Sequence, residues 1–255
     1  MTRLASLFAA LAAAGAMLAG APEATGSGEG WTIILEDDFR SGNLDPERWR
    51  PTSAHDFREW IVDVQDRGAG KAPDRGLRLR ADTIGTDDGT VKFLGVVHPD
   101  PLDLTRPHQI EFELDWNNQS NGSYLSAGIY LSPTLTTGTP EGEDDWFKVV
   151  YVGVPPGGNV RSLVAVGRGG REHPLDTDGW PDRRRGGRAI DRQRIRLVLD
   201  GGSVSLFEND ALLYRSETPI LTFQSAYLYL QMTSHSNYPA REVFFDDLVV
   251  RVGLN

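Results

Sequence analysis

Residues 110–116 read Ile110-Glu111-Phe112-Glu113-Leu114-Asp115-Trp116, with an apolar residue at every second position and a carboxylate between each pair. A period of two is the pleat of a half-buried β-strand, because successive side chains leave a strand on opposite sides. The pattern recurs along the chain. Leu125, Ala127, Ile129 and Leu131 share one face of a run whose other face carries Tyr124, Ser126, Gly128 and Tyr130. Phe147, Val149 and Tyr151 alternate with Trp146, Lys148 and Val150. Ala226, Leu228, Leu230 and Met232 alternate with Tyr227, Tyr229, Gln231 and Thr233. Ile195, Leu197 and Leu199 lead into Asp200-Gly201-Gly202, a hairpin signature, and residues 204–207 return from it. The runs 77–80 and 243–252 bring those named to eight, of about a dozen strands expected in all, and none has a helical period. The expected fold is all-β, an antiparallel β-sandwich.

Composition bounds the rest. The chain has 255 residues, 39% apolar and 24% charged, which suits a folded globular domain. A net charge of -10 speaks against nucleic acid as a partner. The absence of cysteine excludes disulfides, thiolate zinc sites and thiol catalysis. At the N-terminus, Arg3 precedes the apolar run 4–19, and Ala19-Gly20-Ala21 is a small-residue cleavage pattern. We read 1–24 as a signal peptide, 25–30 as a flexible leader and 31–255 as the mature domain. The expected location is secreted, periplasmic or cell-surface. No later stretch is apolar enough to span a bilayer, so no stable membrane insertion is expected once the signal is removed.

The order of motifs adds a resemblance. Trp31-Thr-Ile-Ile-Leu-Glu-Asp-Asp-Phe39, then Leu44-Asp45 and Trp49, resembles the opening of concanavalin A-like jelly rolls. These include family 16 glycoside hydrolases and laminin-G-like domains. Residues 109–131 look like the next strand pair of that fold. The segment 194–214 looks like its strand, turn and strand, and 227–231 and 244–250 look like its closing strands. The resemblance spans most of 31–255 and implies a sugar-handling groove on one sheet. It does not carry the hydrolase's catalytic signature, E-x-D-x-(x)-E on one strand. The corresponding strand is Asp144-Asp145-Trp146-Phe147-Lys148-Val149-Val150, and Lys148 and Val150 stand where acids are needed. A rival carboxylate set, Glu111, Glu113 and Asp115, lies on one face of an earlier strand. Its plain alternative is a solvated strand face opposite the core.

Sugars offer hydroxyls at their edges and C–H patches on their faces, which suit amides and aromatic rings. Tyr124, Tyr130, Trp146, Lys148, Tyr229 and Gln231 have the outward orientation, and the resemblance implies a groove amide at Gln231. These six are the expected sugar-binding residues, unless loops cover them. Trp60 and Trp180 are either rim contacts or loop anchors. His235, Tyr238 and Arg241 lie in a long polar connection. Together they can form a lyase-like set in which Tyr or His removes a proton and Arg neutralises a uronate. The alternative is a loop held by its own side chains. Residues 161–196 hold ten Arg against five acids, which reads either as capture of an anionic glycan or as a solvated loop. In the resembling folds a structural calcium is held by a closing-strand Asp, which matches Asp246, together with backbone carbonyls. Asp37 of the neighbouring opening strand is the second expected ligand.

The leading functional reading is a secreted, non-catalytic protein that binds polysaccharide. The alternatives are a glycan-cleaving hydrolase or lyase with a non-standard active site, and a module that binds another cell-surface protein.

Overall fold

The computed structural model describes residues 30–67, 74–115, 125–154, 159–175, 183–184 and 192–254. The structural statements below concern these residues only; residues 1–29, which hold the expected signal peptide, and Trp116, Tyr124, Trp180, Arg185 and Arg188 lie outside them. In chain order the strands are β1 (Trp31–Asp37), β2 (Arg50–Ala54), β3 (Glu59–Asp66), β4 (Arg75–Asp82), β5 (Val91–Val97), β6 (Leu102–Asp103), β7 (His108–Asp115), β8 (Leu125–Ser132), β9 (Asp145–Val154), β10 (Asn159–Arg168), β11 (Arg171–Pro174), β12 (Arg183–Arg184), β13 (Gln193–Asp200), β14 (Ser203–Glu208), β15 (Ala211–Arg215), β16 (Ser225–His235) and β17 (Arg241–Gly253). Among the described residues the helical content is one 3-10 turn, Pro140–Gly142, and no helix is long and apolar enough to cross a membrane.

The strands form two antiparallel sheets. One has eight strands in the order β15-β14-β13-β7-β17-β4-β3, with β1 also paired to β17. The other has nine, in the order β11-β10-β9-β8-β16-β5-β2, with β12 on β10 and β6 on β16. The inner faces supply one continuous core. Ile110, Phe112 and Leu114 of β7 belong to it, as do Ile129 and Leu131 of β8, Phe147 and Val149 of β9, and Leu228, Leu230 and Met232 of β16. The period of two therefore sorts these residues as expected. The hairpin at 200–202 has Gly201 and Gly202 at φ 55° and 83°, the left-handed values its tight turn requires.

Two local features set up the site. Trp49 is fully buried, and its Nε1 donates to Asp37 Oδ2 at 2.8 Å, so the opening strand is pinned to the segment that follows it. In β17 a bulge between Asp246 and Val249 shifts the register against β7. Asp247 sits in that bulge with φ 46°, a left-handed value that Asp tolerates. The bulge places two consecutive carboxylates beside β7.

His108, at the start of β7, is buried with Nδ1 2.9 Å from the Arg106 carbonyl oxygen. Burial pushes its pKa below the ordinary 6.5. The unfolded chain therefore takes up a proton at a pH where the folded chain does not. The resulting stability is complete above 6.5 and is lost as pH falls. In urea melts from about pH 7.5 to about pH 5.5, we expect the wild type to lose stability relative to His108→Gln. Parallel pH dependences of the two proteins would contradict this.

Candidate functional site

The registers of β9, β8, β16 and β5 gather five of the six expected sugar-binding residues on the face of the nine-stranded sheet that points away from the core; the sixth, Tyr124, lies outside the described residues. Lys148 pairs with Tyr130, Tyr130 with Tyr229, and Tyr229 with Val97. Gln231 lies one pleat along, between Gly128 and Gly95. Both glycines are obligatory there, since a Cβ would stand 2.1 Å from the Val149 oxygen at Gly128 and 2.2 Å from the Leu230 oxygen at Gly95. Trp146 packs on Gly167, where a Cβ would meet its Nε1 at 2.2 Å.

These side chains face outward from the core, yet they are not open to solvent. Tyr130, Trp146, Lys148, Tyr229 and Gln231 are all buried, none more than 5% exposed. Segment 133–144, which joins β8 to β9, folds back across them. Tyr229 Oη donates to the Thr134 oxygen at 2.9 Å and accepts from the Thr136 nitrogen at 2.8 Å. Gln231 Nε2 donates to the Gly138 oxygen at 3.0 Å and to Thr52 Oγ1 at 3.2 Å, and its Oε1 accepts from Thr139 Oγ1 at 3.5 Å. Tyr130 Oη donates to Glu141 Oε1 at 2.8 Å. Lys148 Nζ donates to the same oxygen at 2.7 Å and also to Glu172 of β11. The open trough expected from the sequence is corrected here: the hydrogen-bonding groups of its floor are taken up by the protein's own loop. Direct sugar contact by these residues requires that loop to leave.

Electrostatics agree with a supporting role. Burial, with Glu141 beside it, pushes the Tyr130 phenol well above its ordinary value. Burial pushes Tyr229 up to about 12. Both are therefore hydrogen-bond donors at neutral pH and not bases. Lys148 Nζ also lies 5.0 Å from the centre of the Trp146 ring and 5.8 Å from that of Tyr130, which places the cation against two π faces. The outward positions of β9 from 146 to 152 are Trp146, Lys148, Val150 and Val152, with no carboxylate among them. Glu141 and Glu172 do reach this face, but both are counter-ions of one ammonium.

The carboxylates of β7 belong to the other sheet, on the opposite side of the sandwich. Glu111 accepts from Arg194 at 2.7 Å, from Arg251 at 3.0 Å and from Gln109. Burial would raise it, but Arg194 and Arg251 hold it below its ordinary value. Glu113 is pushed up by burial and then by Asp247. Asp115 lies 3.7 Å from Arg192 and 3.9 Å from Arg67. Glu111 and Glu113, with Glu36, Asp38, Asp247 and Arg194, line a cavity of about 300 Å³. The set is therefore remote from the ring face and woven into arginine pairs.

The two expected calcium ligands do not meet. Asp37 accepts from the Phe39 nitrogen at 2.9 Å and from Trp49 at 2.8 Å. Asp246 instead joins Glu113 and Asp247, with ligand oxygens within 4.8 Å of one another. Burial pushes Asp246 up to about 6, with Asp247 and Glu113 adding to it and Arg67 opposing. In the third group, the Arg241 guanidinium lies 4.7 Å from the centre of the Tyr238 ring, and burial lowers its pKa. His235 Nδ1 is 3.4 Å from Ser236 Oγ. Thr83 Oγ1 donates to the His235 oxygen at 2.7 Å and accepts from the Tyr238 nitrogen at 2.9 Å, so the loop is bound to the end of β4. Trp60 lies on β3, the terminal strand of the eight-stranded sheet, and is 45% exposed.

Glu141, Glu172 and the threonines of 133–144 were not apparent from the sequence as site residues. The available signal was length: twelve residues, Pro-Thr-Leu-Thr-Thr-Gly-Thr-Pro-Glu-Gly-Glu-Asp, join two strands that pair directly. A hairpin connection of that length has to pack somewhere.

No protein-family model matches the chain, and no curated protein matches it in sequence. Solved structures do match in fold. One comes from work on endo-acting O-glycanases that members of the human gut microbiota express to initiate mucin breakdown. It has 16% identity and a TM-score of 0.56, covering 88% of this chain and 100% of that one. LamAcat from Zobellia galactanivorans has 13% identity and a TM-score of 0.55, covering 87% and 97%. A β-1,3-glucanase from Mycobacterium marinum has 12% identity and a TM-score of 0.52, covering 89% and 100%. These structures share the fold of this chain, a jelly-roll β-sandwich.

Lys148 anchors the covering loop, so its charge is testable. Glu141 and Glu172 are 24% and 34% exposed, which discounts the penalty for leaving them unpaired. We expect Lys148→Met to cost about 1–3 kcal/mol in urea melts. A stability equal to the wild type would contradict the anchoring role.

Proposed function

We propose that the chain is an exported glycan-binding protein that does not cleave its ligand by the retaining mechanism of the family 16 hydrolases. The observation that carries the reading is the outward face of β9. By the sequence resemblance β9 corresponds to the strand on which those hydrolases align carboxylates; it carries Trp146, Lys148 and Val150, and the carboxylates that approach it neutralise Lys148. A general acid and a nucleophile on either side of a glycosidic bond are therefore missing from that strand. The glycan-acting proteins of the same fold support carbohydrate as the ligand class. With the ring face covered, binding falls to exposed surface elsewhere, and Trp60, on the terminal strand β3 of the eight-stranded sheet, is the large exposed aromatic among the described residues. An exposed indole stacks on the apolar face of a sugar ring. The arginine-rich 161–196 supports a preference for anionic glycans.

A glycan array run beside reducing-end and unsaturated-uronate assays tests this. We expect binding without product, and about a tenfold loss of affinity in Trp60→Ala, equivalent to ~1.4 kcal/mol. New reducing ends or unsaturated uronate would establish cleavage and overturn the reading. Failure to bind any glycan would overturn it from the other side.

A further inference from the structure

The bulge of β17 brings Glu113, Asp246 and Asp247 together with oxygens within 4.8 Å of one another, the kind of donor set that suits a hard divalent cation. Asp246, the buried member of the set, is already engaged through both oxygens. Arg67 follows β3 directly, and its side chain is 2% exposed. Its Nη2 donates to Asp246 Oδ2 at 2.5 Å and to Asp74 Oδ1 at 2.5 Å, and its Nη1 lies 3.9 Å from Asp115. The other oxygen of Asp246 accepts from the Asp247 nitrogen at 2.8 Å. Arg192 stands 3.9 Å from Glu113 and 3.7 Å from Asp115. The opening strand is capped in the same way: Arg48 Nη1 donates to the Glu36 carbonyl oxygen at 2.5 Å. The closing-strand carboxylate and an opening-strand carbonyl each hold a guanidinium.

We propose that Arg67 is the resident cation of this site and takes the place a calcium ion would otherwise fill. A guanidinium is always charged and presents several donors in one plane, so it can bridge carboxylates from separate strands much as a metal does. Here it ties the end of β3 to β17 and, through Asp115, faces β7. It is fixed covalently and carries one charge, whereas calcium requires six to eight oxygens and repels a neighbouring guanidinium. The site is therefore closed to calcium while Arg67 is present and becomes a calcium site when it is removed. This inference is independent of what the protein binds.

Thermal melts of the full chain in millimolar calcium and in EDTA test it, with Arg67→Met as the gain-of-site variant. The wild type should melt at the same temperature in both. Arg67→Met should be less stable in EDTA and should rise by about 5–10 °C at calcium ~100-fold above its Kd. Arg67→Met with Asp246→Asn should lose that response. If Arg67→Met does not fold in EDTA, folding restored by calcium supports the proposal, and no rescue overturns it. A calcium-dependent rise in the wild type also overturns it, whatever the variants do.

Discussion

The structure depends on covering a sheet face that alternation leaves exposed. β8 lies in the middle of the nine-stranded sheet and is buried along its whole length. One of its faces lies against the core. The other carries Tyr130 and, with its neighbours, Lys148, Tyr229 and Gln231, whose polar atoms need partners once water is excluded. Segment 133–144 supplies those partners from its own backbone and from Glu141. Without the segment, two phenols, an amide and an ammonium would be exposed together, which is the composition of a sugar-binding floor. With it, the same groups are internal structure. Residue type alone does not separate these outcomes.

This explains how much was legible in the sequence. Alternation assigned Phe112, Ile129, Phe147 and Leu230 to the core and Tyr130, Lys148 and Gln231 to the opposite face, because a strand's period fixes the side on which a residue lies. It says nothing of depth on that side, which depends on what a loop does later. Trp146 and Tyr229 therefore read as ligand-facing when they are buried. Sheet membership was also beyond local pattern. Glu111, Glu113 and Asp115 alternate as cleanly as Trp146 and Lys148, yet β7 lies in the eight-stranded sheet and β9 in the nine-stranded one. Asp37 and Asp246 sit on adjacent strands, as the motif order implied, but turn toward Trp49 and Arg67 respectively.

The two outer faces solve the same electrostatic problem with opposite signs. On one, a buried lysine is matched by two partly exposed glutamates. On the other, carboxylates of β7 and β17 are matched by Arg67, Arg192, Arg194 and Arg251. A charge taken out of water must be paired, and each pair here ties one segment of the chain to another. The carboxylates of β7 that pattern-reading offers as catalytic candidates are thus ties of the sandwich.

Amide hydrogen exchange at Thr136 tests the central claim most directly. Its N–H is bonded to Tyr229 Oη in a connecting segment, where an amide without a partner would exchange freely. A loop seated on the ring face predicts strong protection at Thr136 in the wild type and its loss in Tyr229→Phe. Fast exchange at Thr136 in the wild type would mean that the face is open and that the account of a covered sheet is wrong.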